Sequence, residues 1–326
     1  MPFMSRVTSL TSMPEAQLNR WIKRIGLLLL VGIVAFIAFY AVDRFRASPA
    51  PIVDRELAIL EEAVRLDPAD AVSRGQLADR YFAKQRYEEA IVQYSALVDA
   101  KKDVELAKLG RARAYQATEQ YDAAIADFDA VIEIAKEGEM AVVDPNLAAA
   151  YYGIGTIALA QGRPKDAIEP LTNALAIQRA DADVLNALGT AYLQTGDTAK
   201  AIEKLELAVR LIPVGWAEPY TNLETAYKAA GKADLAEWAG AMAAMIGGDE
   251  AMAEKRLLAL VDGELALQAT LGLGLLSETR GDTAAAADWY RKALAIDPDN
   301  TSAGLGLKRV AMPDPATPAP SATGTN

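Results

Sequence analysis

The chain has no cysteine and no histidine. Zinc sites built on thiolate or imidazole, cysteine nucleophiles, histidine general bases and disulfides are therefore excluded. A bacterial lipoprotein anchor, which needs a cysteine, is excluded as well. Lack of cysteine fits an oxidising compartment. Basic residues are in the minority: 33 Lys and Arg face 44 Asp and Glu, for a formal net charge of −11. Residues 1–42 carry Arg6, Arg20, Lys23 and Arg24 against Glu15, so the acid excess lies in the rest of the chain. An acidic body argues against nucleic-acid binding, which needs a basic surface to displace counterions.

Catalytic patterns are missing too. No Walker sequence, metal-ligand cluster or nucleophile elbow occurs. Gly153-x-Gly155 and Gly272-x-Gly274 lie inside helical patterns, where glycine serves close packing rather than a nucleotide. The pairs Glu61-Glu62 and Glu88-Glu89 read as solvated helix faces. The chain is expected to be no enzyme and to hold no metal or cofactor.

One long apolar run is present. Ile25 to Val42 gives 18 residues without a charge. As a helix it covers about 27 Å, near the roughly 30 Å of a bilayer core. Trp21 and Tyr40 sit where interfacial aromatics are favoured. The run reads as an uncleaved transmembrane anchor over residues 21–42. A cleaved signal peptide is one alternative, although a cut after Ala41 would put Phe39 where a small residue is wanted. A buried soluble helix is the other. Flanking charge leans toward a cytoplasmic N-terminus and an extracytoplasmic body, as in a single-pass protein of a bacterial inner membrane. Residues 1–20 read as a flexible cytoplasmic segment, 43–51 as a proline-containing linker, and 312–326 as a disordered Pro/Thr/Ala tail.

The body is organised around Ala182–Pro213. Leu188, Gly189 and Tyr192 mark one amphipathic helix. Ala201, Leu205 and Ala208 mark a second, with Gly196-Asp197 between them. The same grammar recurs around Ala90, Ala124, Ala167, Ala201, Ala236 and Ala286, at intervals of 34, 43, 34, 35 and 50 residues. Tyr94, Phe128, Leu171, Leu205 and Tyr290 follow the anchor by four. Tyr81, Tyr115, Tyr192 and Tyr227 precede it by nine. Ala78, Ala112, Gly155, Gly189 and Gly274 precede it by twelve, and Gly162, Gly196, Gly231 and Gly281 stand at the turn. Small residues let two helices approach, aromatics fill the space between hairpins, and glycine accepts a left-handed helix end. A single hairpin cannot bury its face, so neighbours must stack.

These positions resemble the tetratricopeptide repeat over residues 71–300. The expected units are a half-repeat at 52–68, repeats at 71–104, 105–138, 148–181, 182–215 and 217–250, an extra helix at 249–264, a repeat at 267–300 and a capping helix at 301–311. Leu305, Leu307 and Val310 are expected to cover the last repeat, and Met252, Leu257, Leu258 and Val261 to form the extra helix's apolar face. Departures at Arg111, Glu224, Gly240 and Ser277 predict looser packing.

The resemblance implies an all-α fold: a right-handed superhelical solenoid of helix hairpins, here preceded by a single transmembrane helix. It also implies a concave groove, lined by first helices, that takes a peptide or an extended protein segment. Arg113, Tyr152, Asn186, Thr190, Gln194 and Lys228 are the partner-binding candidates, with Asp79, Gln116, Thr156, Thr221 and Thr225 beside them. Clustered basic residues that clamp a partner's C-terminal carboxylate in some family members are not matched here. The expected function is a membrane-anchored scaffold or assembly factor at the cell envelope, membrane-bound through Ile25–Val42. The alternative is a structural subunit of a larger membrane complex that uses its outer surface.

The close helix contact assigned to Gly189 is testable. Gly189→Leu should overpack the hairpin and destabilise the chain by about 1–3 kcal/mol. Thermal unfolding of that variant measures it, and an unchanged midpoint would argue against the contact.

Overall fold

The computed structural model describes residues 52–138 and 140–311, together with the single helical positions Lys23, Leu29, Ile33 and Phe36. Among the described residues there are helices and no strands. The helices are α1 (Ile52–Leu66), α2 (Ala71–Ala83), α3 (Tyr87–Asp99), α4 (Val104–Ala117), α5 (Tyr121–Lys136), α6 (Pro145–Ala160), α7 (Pro164–Ile177), α8 (Ala182–Thr195) and α9 (Thr198–Leu211). They continue as α10 (Glu218–Ala229), α11 (Ala233–Ile246), α12 (Glu250–Leu258), α13 (Ala266–Thr279), α14 (Thr283–Ile296) and α15 (Thr301–Ala311). A short 3₁₀ turn, Ala141–Val143, follows the long α5. Two compact units divide at Ser73/Arg74. In the first, α1 buries Leu57 and Leu60. The second is a series of hairpins in which every helix from α3 to α15 packs on the next.

Local chemistry sets the helix ends. Asp144, Asp181, Asp197, Asp249 and Asp282 each accept a hydrogen bond from a first-turn backbone N–H. Such caps satisfy donors that have no partner within the helix. Pro145 and Pro164 open α6 and α7, where a missing N–H costs nothing. At the turn inside each hairpin the backbone is left-handed: Gly162, Gly196, Gly231 and Gly281 have φ of 68°, 84°, 70° and 76°. The two N-terminal hairpins keep this geometry without glycine, at Gln85 (φ 60°) and Glu119 (φ 58°).

Each hairpin closes on a small residue. A Cβ added to Gly189 would lie 2.6 Å from Leu205 Cγ, and one on Gly155 would lie 2.5 Å from Leu171 Cγ. At the equivalent positions Ala78 and Ala112 are fully buried. Large side chains then bridge to the following hairpin. The Phe128 ring lies against Gly153, and the Tyr94 ring against Gly110. Both faces of a hairpin are thus filled by single side chains meeting bare backbone.

Two expected weak points are compensated rather than loose. Arg111 Nε and Nη2 donate to Asp127 at 2.7 and 2.9 Å, while Nη1 donates to Ser95 Oγ. Asp127 is only 5% exposed and also accepts from Lys108 at 3.3 Å. A buried polar set replaces the apolar contact usual there. In the fifth hairpin, Glu224 accepts from Arg256 of α12 at 2.8 Å. A Cβ on Gly240 would collide with this Arg256 guanidinium. The missing side chain at 240 therefore houses the extra one at 224. Ser277 bonds back to Leu273 O at 2.8 Å.

Two other expectations change. The extra helix stops at Leu258, because the backbone turns back through Leu260 N–H to Leu257 O and Gly263 N–H to Leu260 O. Ala253 and Leu257 are its buried residues, Leu260 is buried just beyond its end, and Met252 and Leu258 face solvent. In α15 the Tyr290 ring lies against Gly306. Leu305 is 56% exposed there, whereas Leu307 and Val310 do pack.

Among the described residues no helix is long and apolar enough to cross a membrane. The expected span Ile25–Val42 lies outside them apart from Leu29, Ile33 and Phe36. Residues 1–20, 43–51 and 312–326 lie outside them too.

Left-handed backbone strains any residue with a Cβ. Gln85→Gly and Glu119→Gly should each raise stability by roughly 1 kcal/mol. Urea unfolding of the two variants checks this, and a loss of stability in both would count against the strain.

Candidate functional site

The first helices of successive hairpins are α2, α4, α6, α8 and α10. Side-chain hydrogen bonds join several of them edge to edge. Asn146 Nδ2 donates to Glu105 at 2.8 Å and Gln116 Nε2 to Thr156 Oγ1 at 3.0 Å, linking α4 to α6. Asn186 Nδ2 donates to Glu218 at 3.0 Å, and Asn222 Nδ2 donates to Asn186 Oδ1 at 3.1 Å and Thr190 Oγ1 at 3.0 Å, linking α8 to α10. Amide-rich positions therefore serve the array itself.

This changes the reading of several candidates. Asn186 is 5% exposed, with its amide engaged on both ends, so it is not an open groove residue. Thr190 donates to Asn186 O at 2.9 Å and accepts from Asn222. Lys228 is exposed but pairs with Glu224 at 2.7 Å on its own helix. Thr156, Thr221 and Thr225 bond back to carbonyls one turn earlier. Repeat spacing cannot show the bonds between helices, because they join residues 32 to 41 positions apart and depend on which side chain meets which.

Three candidates remain accessible. Arg113 is exposed at a cavity of about 300 Å³, lined also by Asp79, Phe82, Tyr94, Leu106 and Asn146. Within it Tyr94 donates to Asp79 at 2.6 Å. Burial and that carboxylate raise the Tyr94 phenol well above its usual range. Gln194 is exposed on α8. Tyr152 is half-buried on α6, and burial pushes its phenol up to about 12, reinforced by the charges of Asp183, Asp181 and Glu218.

Those three carboxylates lie near enough to Tyr152 for their charges to act on it. Partial desolvation, then the charges of Asp181 and Glu218, raise the Asp183 carboxyl. Sequence reasoning passed over Asp183 and Glu218 because each is ordinary in a helix's first turn. Only stacking brings them around one tyrosine. Among the described residues no group of acids is placed to hold a metal ion.

A second concavity lies toward the C-terminus. Neighbouring first helices pack in the pairs α4–α6, α6–α8 and α8–α10, but α10 and α13 make at most marginal contact. The odd helix α12 intervenes in sequence. A cleft of about 500 Å³ opens there, walled by Val214, Tyr220, Trp238, Met242, Leu271, Leu275 and Leu305, with Gln268, Ser302 and Arg309 among its polar residues. A cavity of about 330 Å³ shares Tyr220, Trp238 and Gln268 with it. Trp238 was legible in principle. It follows the anchor alanine by two, where other repeats carry Val92, Ala126, Glu169, Glu203 and Asp288.

Two family models, each described as tetratricopeptide repeat, match the chain. One covers residues 103–180, and the other covers 152–215 and 224–301. Together they span more than half of the chain. No curated protein matches. Solved structures share the architecture. BtubC from P. vanneervenii is 23% identical with a TM-score of 0.51, over 61% of this chain and 92% of that one. YrrB, described as a TPR protein with an unusual peptide-binding site, is 19% identical at a TM-score of 0.46, over 60% and 95%. The APC/C assembly Cut9-Hcn1 is 19% identical at 0.45, and this chain spans 46% of that one. Identities this low show the fold alone.

The acidic centre has a pH signature. Folding raises the Asp183 carboxyl above its ordinary value of 3.8, so the native state binds its proton more tightly and loses stability as pH rises through the folded value. Asp183→Asn should raise the thermal midpoint at pH 7, with the gain gone near about pH 3, where both states are protonated. An equal midpoint at pH 7 would remove the repulsion from the account.

Proposed function

The chain belongs to the tetratricopeptide repeat family, and from that premise we propose that it is a membrane-anchored scaffold whose first-helix face holds an extended, basic segment of a protein partner. Repeats of this family are protein-interaction scaffolds, generally without catalysis. The observation that carries the charge preference is the acidic group Asp181, Asp183 and Glu218 around Tyr152, where each carboxylate raises the cost of ionising Asp183. A cationic segment laid there relieves that repulsion, and charge complementarity also speeds encounter. The Arg113 cavity gives the same face a place for a side chain.

Anchoring rests on the uncharged run Ile25–Val42. The body would then stand on the extracytoplasmic side of a bacterial inner membrane, as the flanking charges lean.

One observation favours the alternative role as a subunit joined through its outer surface. Met140, Val142 and Val143, in the insertion after α5, are 67%, 78% and 56% exposed. Three neighbouring apolar side chains in one loop suit a contact outside the groove.

Photocrosslinking in intact cells separates the two readings. A benzophenone amino acid at Tyr152 should capture one protein through a Lys/Arg-rich peptide. Asp183→Asn with Glu218→Gln should weaken binding of that peptide by about tenfold, or roughly 1.4 kcal/mol, and added salt should do the same. Capture from position 142 but not from 152 would overturn the groove reading. Protease access to the body in spheroplasts tests its side of the membrane.

A further inference from the structure

We propose that the cleft between the fifth and sixth hairpins is the docking site for the chain's own proline-rich segment, residues 312–326. The cleft exists because α12 interrupts the alternation of first and second helices. Its walls are apolar and aromatic. Tyr220 and Trp238 meet edge to face with ring centroids 5.8 Å apart, and Tyr290 lines the same space. The Tyr220 hydroxyl donates to Pro213 O at 2.9 Å; its ring and that of Tyr290 are buried as the floor of the cleft, and Trp238 is the partly exposed aromatic of its wall. Val214 and Leu305 stand 58% and 56% exposed at the margin. Aromatic-lined grooves suit proline-rich strands, which reach an extended form at low entropic cost.

The attachment point selects the occupant. Helix α15 lines the cleft through Ser302, Leu305 and Arg309, and it ends at Ala311. The next residues are Met-Pro-Asp-Pro-Ala-Thr-Pro-Ala-Pro, residues 312–320. In extended proline-rich form these nine cover about 28 Å, at about 3.1 Å per residue. The segment starts beside the cleft, so its effective concentration there is high. Asp314 is its one charged side chain. The nearest cation along the chain is Arg309, which is half exposed even while it holds Glu278 at 2.7 and 2.8 Å. Met312 and four prolines supply apolar surface to match the walls.

The test uses the full chain in detergent. A benzophenone amino acid replaces Gln268, an exposed residue that lines both cavities. Because Arg309 is the last basic residue, trypsin releases the segment as one peptide, Val310–Asn326. The proposal expects a crosslink from position 268 to that peptide within the same chain. Isotopically mixed protein distinguishes the same chain from a second copy. Changing Pro313, Pro315, Pro318 and Pro320 to Ser should abolish the crosslink while the thermal midpoint stays unchanged. Leu305→Gln, at an exposed margin position, should weaken it. Crosslinks between differently labelled chains, to another protein, or only to the cleft walls would overturn the proposal. Its failure leaves the first-helix face untouched, because no residue of the acidic centre lines the cleft.

Discussion

The array depends on one contact repeated along the chain: a large side chain of one helix pressed against a position with little or no side chain on another. Leu171 meets Gly155, and Leu205 meets Gly189. The added Cβ distances lie under those of any real contact, so backbone and side chain share space that only a bare residue leaves free. Interiors pack to crystal-like density, and a single extra methylene there is felt. Helix separation within a hairpin is thus set by this pair. The stacking of one hairpin on the next then follows from where the same helix sends Tyr94, Phe128 or Tyr290.

Edge bonds act at a second level. Once hairpins stack, Gln116 meets Thr156 and Asn222 meets both Asn186 and Thr190. These bonds are modest singly, about 1 kcal/mol each. Their main effect is to settle which polar groups remain for a partner. Tyr152, Arg113 and Gln194 stay accessible, and the carboxylates of Asp181, Asp183 and Glu218 act together on Tyr152. The face therefore has a charge that the polar composition of its helices did not announce.

Much of the fold was legible because repeat grammar is a backbone matter. The alanine anchors are buried and the turn glycines are left-handed. Departures were harder. Arg111 alone looks like a defect, and only Asp127 across the hairpin explains it. Glu224 and Gly240 looked like two defects and proved to be one exchange. Of the expected groove residues, Asn186 misled most. It sits in the most regular repeat on the right helix face, yet its amide is consumed by Glu218 and Asn222. Spacing assigns a face. Satisfaction of polar groups depends on partners a full repeat away.

The exchange around Gly240 also ties the odd helix to the hairpin before it. Arg256 occupies the volume a side chain at 240 would need, and it neutralises Glu224 inside the array. Excising residues 249–264 would strip that cation away. A void would remain at Gly240, and Glu224 would lose the Arg256 cation while keeping Lys228. Neighbouring hairpins would have to be rebuilt before the segment could be lost. The segment that interrupts the hairpin alternation is thus held in place by its neighbours, and removing it alone would cost the fifth hairpin both packing and a charge partner.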